Sequence, residues 1–213
     1  MTNIVQVAEL SITNSEDELL LENINFNVVK GEICQLAGLS DFQYDVLFNL
    51  LYGKLKPDSG QIVLTGRNIV RIKNKKRDEL LKEKISFIPK DFTLPRKKTI
   101  KDTLEFKLTI LGQKYERDQR IEEVMRDLLI NDLAGYRPKE MNHPERVKAI
   151  LGVALINDPQ LLIYQNPFND LNAQQEKEIL ATLIDLVESS GLTVFLLTNE
   201  LKSNQSSIRT IEV

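Results

Sequence analysis

The chain has one cysteine and one histidine in 213 residues. A lone Cys34 excludes an intramolecular disulfide framework and any multi-cysteine zinc site. A lone His143 excludes metal sites built on a histidine pair and leaves little scope for histidine catalysis; its expected place is the surface. No apolar run approaches the ~18 to 20 residues that cross a bilayer. Residues Met1 to Leu10 lack the basic stretch followed by an apolar one that marks a secretory signal. The expected location is the cytoplasm, peripheral to the inner face of the cell membrane, with Cys34 reduced. An excess of positive charge is missing too. The 28 Lys and Arg stand against 31 Asp and Glu, giving a net charge of -3 and a pI near 5.4. That balance argues against nucleic acid as a partner, because a phosphate backbone selects basic faces.

What is present reads as a soluble globular chain, 42% hydrophobic and 28% charged. Its length fits one large domain or two small ones. Strand-like and helix-like segments alternate, which argues for an α/β protein. Strands are expected at Ile4–Ala8, Leu19–Val29, Glu32–Ala37, Gln61–Leu64, Ile85–Pro89, Leu161–Tyr164 and Thr193–Thr198, with a terminal strand or tail from Ile208. Helices are expected after Ala37 up to Gly53, over Arg77–Glu83, within Ile100–Leu133, over Pro144–Ile156 and over Ala173–Ser189. Pro57-Asp58-Ser59-Gly60 reads as a turn. The basic runs Lys73–Arg77 and Arg96–Lys98 read first as solvated faces, and second as contacts for acidic lipid or a partner's acidic loop.

Several short segments together carry a resemblance. They are Leu21–Phe26, the Lys30-Gly31-Glu32 turn, Leu55–Ile62 followed by Gly66, Lys90-Asp91-Phe92, Lys97–Ile100, and Ala154–Pro159 followed by Leu161-Leu162. Their order resembles the nucleotide-binding domain of ABC transporters, and most of all the cell-division and lipoprotein-export subset. The resemblance implies a P-loop NTPase-like ABC ATPase core, a mixed sheet flanked by helices, with an inserted α-helical subdomain. Residues 1–98 and 147–213 would form the core and 99–146 the insertion. It also implies a membrane subunit as partner.

The chemistry departs from that family's pattern. The phosphate loop, expected as G-x-S-G-x-G-K-S-T, reads Gly38-Leu39-Ser40-Asp41-Phe42-Gln43-Tyr44-Asp45-Val46. Tyr44 stands for the lysine and Asp45 for the magnesium-binding hydroxyl. Asp41 and Asp45 bring negative charge where a triphosphate would sit. Ser40 to Gln43 reads instead as a capping box, with Ser40 as N-cap and Gln43 three residues on. The metal-organising aspartate and the catalytic glutamate correspond to Gln165 and Asn166, two amides that are poor bases and bring no charge to a metal. The signature loop corresponds to Met141-Asn142-His143-Pro144-Glu145, in which Pro144 has no N–H to give. The loop glutamine corresponds to Lys90, the switch histidine to Asn199, and the aspartate of the x-L-D turn to Asn172. The adenine-stacking aromatic would fall near Thr13 or Asn14.

These substitutions lead to the expectation of a pseudo-ATPase, a scaffold or regulatory partner of a membrane subunit in a transport or cell-division-like complex. No cofactor is expected unless the altered site still holds ATP and magnesium. Phe92, Leu94 and Arg96-Lys97-Lys98 are expected to form the groove for the membrane partner. The alternatives are a weak or heteromeric ABC ATPase subunit that couples ATP to transport, and a sensor of a less anionic ligand. Without nucleotide between two copies, the chain is expected to be a monomer in isolation and a dimer only in the complex. Cys34 is expected to be a buried small residue rather than a redox group.

Overall fold

The computed structural model describes residues 2–113, 116–199 and 207–213. The strands divide between two sheets. The first is antiparallel and holds β1 (Asn3–Thr13), β2 (Leu19–Val29), β4 (Ser59–Leu64) and β5 (Arg67–Asn68) in the order β2-β1-β4-β5. The second is parallel and holds β3 (Ile33–Ala37), β6 (Ile85–Ile88), β7 (Leu161–Gln165), β8 (Thr193–Leu197) and β9 (Ile208–Glu212) in the order β6-β7-β8-β3-β9. Helices α1 (Asp41–Tyr52), α2 (Asn74–Lys84), α3 (Ile100–Leu111), α4 (Arg117–Asp127), α5 (His143–Leu155) and α6 (Ala173–Ser190) complete the α/β fold.

The parallel strands explain themselves by their composition. Leu161-Leu162-Ile163-Tyr164 and Thr193-Val194-Phe195-Leu196-Leu197 are continuous apolar runs, the mark of strands covered on both faces. Because side chains alternate along a strand, each run feeds two cores. Leu161, Ile163, Phe195 and Leu197 join the cluster that includes α1 and the antiparallel sheet. Leu162, Tyr164, Val194 and Leu196 join the cluster that includes α3 to α6.

Two local readings differ from the sequence expectation. The first strand runs on to Thr13 rather than stopping at Ala8, because it pairs with β2 on one side and β4 on the other. Ser59 and Gly60 belong to β4 rather than to the preceding turn. At Gly60 a Cβ would lie 2.4 Å from the carbonyl oxygen of Glu9, so only glycine lets β4 approach β1 there. Helix α1 ends on Gly53, whose φ of 76° caps the last turn in the left-handed region. Residues 100–133, read as helical, contain α3, α4 and a short 3-10 turn at Asn131–Leu133. No helix among the described residues is long and apolar enough to cross a membrane.

Candidate functional site

Strand β3 delivers the chain to Gly38, where φ is 101° and a Cβ would lie 2.3 Å from the carbonyl oxygen of Val213. Glycine is required there on both counts. Helix α1 then starts on a complete capping box. The Ser40 hydroxyl accepts the Gln43 N–H at 3.3 Å, and the Gln43 side-chain oxygen accepts the Ser40 N–H at 3.0 Å. The Gln43 amide nitrogen reaches back to the carbonyl of Leu20 at 3.3 Å. Orphan N–H groups at the helix start are thus answered by the helix's own side chains.

One turn into α1, Tyr44 and Asp45 point to different partners. Tyr44 is 3% exposed, and its hydroxyl lies 2.9 Å from the carbonyl oxygen of Leu36 and 2.8 Å from Asn199 Oδ1. It has one proton to donate between these acceptors. Burial pushes its pKa up to about 12, with the Asp41 carboxylate adding to the rise, so it stays protonated at neutral pH. Asn199 works in both directions. Its Oδ1 accepts the Gly38 N–H at 3.1 Å, and its Nδ2 donates to the carbonyl of Leu39 at 2.6 Å.

Asp45 joins three elements. Its Oδ2 lies 2.6 Å from the ammonium of Lys90, in the loop after β6. Its Oδ1 accepts from the amide nitrogen of Gln165 at the end of β7. Gln165 is 3% exposed, whereas the Asp45 and Lys90 side chains keep about two fifths of their surface in solvent. Asn166 follows in the left-handed region with φ 48° and donates its N–H to the carbonyl of Leu197 at 2.9 Å.

Tyr44, Asp41, Lys90, Gln165, Asn166 and Asn199 line one cavity of about 290 Å³. Phe168, Asn169, the fully buried Glu176 of α6, Leu197 and Thr198 also line it, and the sequence reading did not name them as site residues. Glu176 lies one turn after the cap of α6, and a carboxylate in a first helical turn carries no signal that separates a buried one from a solvated one. The signature-equivalent residues do not line this cavity. Asn142 is the N-cap of α5, its Oδ1 accepting the Glu145 N–H at 2.9 Å, and Pro144 occupies the first turn. His143, expected at the surface, is half-buried and ties α5 to the loop after β7. Its Nε2 lies 3.1 Å from the carbonyl oxygen of Asn169, and its Nδ1 lies 3.4 Å from an Arg146 nitrogen. A neutral ring with its proton on Nε2 satisfies both contacts. Asn172 is the N-cap of α6, paired with Gln175.

A second depression of about 410 Å³ lies between α2, β6, α3 and α5. Of the expected groove residues only Phe92 lines it. Leu94 is 6% exposed and belongs to the helical-side core, because the loop after β6 turns that side chain inward. Arg96 and Lys97 are exposed elsewhere, and the Lys98 ammonium sits 4.2 Å from the centre of the Phe106 ring. The other residues lining this depression include Tyr52, Phe87, Ile110 and Leu111, with Arg77, Lys82 and Lys107.

The ABC transporter family model matches residues 21–169, and the chain belongs to that family. The methionine import ATP-binding protein MetN of Geobacillus kaustophilus is 29% identical over 202 residues, which is 94% of this chain and 57% of MetN. The ABC transporter ATP-binding protein YtrE of Bacillus subtilis is 25% identical over 182 residues, covering 85% of this chain and 79% of YtrE. This chain spans less than two thirds of the length of the MetN relatives. Among solved structures, cbiO1 of Clostridium perfringens, part of the ABC transporter complex cbiONQ, superposes with a TM-score of 0.82. It is 22% identical, with 94% of this chain and 80% of cbiO1 covered. A nucleotide-free ATP-binding cassette from an ABC transporter gives 0.77 at 17% identity, with 94% and 83% covered. These likenesses establish the ABC ATPase fold.

Proposed function

We propose that this chain is a cassette subunit of an ABC-type membrane complex that supports its membrane subunit without hydrolysing ATP. The observation that carries this reading is the set of internal bonds at the start of α1. The Gly38 N–H is held by Asn199, the Gln43 N–H by Ser40, and the Asp45 carboxylate by Lys90 and Gln165. In the family pattern these positions serve phosphate and magnesium. The residues present do not fit that pair of ligands. The phosphate-loop lysine is replaced by a buried tyrosine, the one cation lining the cavity among the described residues is neutralised by Asp45, and Asp41 adds unfavourable charge. No group of three or more His, Cys, Asp or Glu placed to hold a metal occurs among the described residues.

In this reading residues 99–146 form a helical subdomain. The groove between it and the core receives a helix of the membrane subunit at the cytoplasmic face, and the isolated chain is a monomer in light scattering. Helix-in-groove binding needs apolar anchors within a charged rim, and Tyr52, Phe87, Phe92 and Ile110 supply the anchors.

The comparisons favour a more conventional second reading. The curated relatives are ATP-binding proteins of transport systems, and MetN is a methionine import ATP-binding protein. On that reading the chain is a weak or heteromeric subunit that couples ATP to transport. Titration calorimetry with Mg-ATP up to about millimolar nucleotide separates the two. Absence of heat and of a thermal shift is the result expected here, because a ligand far above its Kd must raise stability. Binding in the micromolar range would overturn the capped-loop argument, and phosphate release from the bound Mg-ATP would then overturn the first reading in favour of the second.

A further inference from the structure

The chain is acidic overall, yet its charge is unevenly placed. Residues 54–84 hold ten Lys and Arg against four Asp and Glu, a net +6, so the rest of the chain carries -9. One of those four carboxylates, Asp58, is turned away to Thr13 of β1, which donates to it through both its N–H and its hydroxyl. The cations gather where α1 ends and α2 begins. The Arg77 side chain lies across Gly53, the residue that ends α1, so Lys54 and Lys56 come beside the first turn of α2 with Lys73, Lys75 and Lys76. All five lysines are exposed, and none forms an ion pair among the described residues.

The arrangement works against α2 as a free-standing helix. Helices α1, α3, α5 and α6 each begin on a side-chain cap with a carboxylate in the first turn. Helix α2 begins on Lys73, with no capping bond and no acid in its first turn. Cations at the positive end of a helix are unfavourable until anions meet them. The surface between the lysines is partly apolar. Tyr52 and Leu55 are each 40% exposed at the end of α1, interleaved with Lys54 and Lys56. Aromatic and aliphatic side chains set among lysines with apolar stems suit the boundary between lipid headgroups and acyl chains.

We propose that this face, the end of α1 with the first turn of α2, lies against the anionic surface of a lipid bilayer. Tyr52 and Leu55 sit at headgroup level, and the five lysines meet lipid phosphate and carboxylate. The inference rests on the membrane-complex reading above for the presence of a bilayer and adds the face that meets it. Lysines are compact charges on flexible stems, and these come from two separate elements. That suits a mobile field of anions better than a single ligand of fixed shape.

The test is flotation of the full chain with phosphatidylcholine vesicles, with and without about 30% phosphatidylserine. Binding is expected only with the anionic lipid, and it should weaken at least about tenfold between roughly 0.1 and 0.5 M NaCl. Each basic residue near an anionic leaflet changes partitioning about fivefold, so Lys75→Gln/Lys76→Gln should weaken binding about 25-fold. Arg126→Gln/Lys177→Gln removes the same charge from exposed positions on α4 and α6, which pack on the other face of the parallel sheet. That control should change binding by less than about twofold, because it lies beyond the screening length from the proposed face. Leu55→Ser should weaken binding severalfold and leave the salt dependence unchanged. Equal losses with the two charge pairs would overturn the inference, since bulk charge rather than this face would then set the attraction. So would equal flotation with neutral vesicles, or none with anionic ones. Tighter binding to double-stranded DNA than to anionic vesicles, lost with Lys75→Gln/Lys76→Gln, would overturn it in favour of nucleic acid. The Mg-ATP titration tests the cassette reading separately, so the two can fail independently.

Discussion

Replacing Asp45 by alanine tests whether the start of α1 is held together from within. The carboxylate has two bonds of different character. The one to Lys90, at 2.6 Å, is shared between side chains that keep about two fifths of their surface in water. Ion pairs of that exposure contribute about 0.2 to 1 kcal/mol and are screened by salt. The other is to Gln165, 3% exposed, whose amide N–H would lose its acceptor. A buried donor left without a partner costs about 1 to 3 kcal/mol. Asp45→Ala is therefore expected to cost about 2 kcal/mol, or a fall in Tm of about 4 to 8 °C for a chain of this size. Lys90→Ala should cost under about 1 kcal/mol, since Asp45 keeps its bond to Gln165. A double-mutant cycle in urea should give a coupling of about 0.5 to 1 kcal/mol at low salt. That coupling should shrink in 1 M NaCl, where the Debye length is about 3 Å, while the larger cost of Asp45→Ala persists. An Asp45→Ala variant no less stable than Lys90→Ala would refute the reasoning, and so would a coupling that salt leaves unchanged.

Three further outcomes are expected. Cys34 is fully buried with its pKa pushed up to about 12 by desolvation, so a thiol reagent at pH 8 should label the native chain orders of magnitude more slowly than the unfolded one. Tyr44 has its folded pKa raised to about 12 from 10.0, so its stabilising effect is complete below pH 10 and is lost as pH climbs toward 12. The slope there approaches 1.4 kcal/mol per pH unit, and Tyr44→Phe should flatten unfolding curves in that window. Gly38→Ala forces a Cβ to within 2.3 Å of the Val213 carbonyl oxygen at a φ of 101°, and should cost about 2 kcal/mol or more, with the loss of protection in hydrogen exchange centred on β9.

Much of the fold was legible because its elements carry local chemistry. The apolar runs of β3, β7 and β8, the glycines that end α1 and α6, and the Ser40 cap with Gln43 three residues later are short-range signals with a mechanism. The length of β1 was not, because it depends on strands that pair with it from both sides. The site shows the same division. Reading position by position flagged Tyr44, Asp45, Lys90, Gln165 and Asn199 as departures from a known pattern. It did not show that they answer one another, although an acid at 45 and a base at 90 where neither is expected is the signal that pairs them. The depression between α2 and α3 left no such signal, because the cations that line it come from the end of α1, from α2 and from α3, whereas Arg96–Lys98 form a run in sequence that does not line it. A surface assembled from separate elements leaves no run in the chain.

The alternation along β7 and β8 has a consequence for how the molecule comes apart. Leu162 and Ile163 are adjacent in the chain but belong to opposite cores, as do Phe195 and Leu196. Neither side can shed its contacts without exposing the back of the wall that the other side leans on. The central strands therefore act as a party wall, and the helical side and the antiparallel side should melt together. In native-state hydrogen exchange, amides of Leu162 and Phe195 should open only with the whole chain, at the global free energy. A variant at Leu128 or Val124, on the helical side, should lower protection in β1 and β4 as much as in α4.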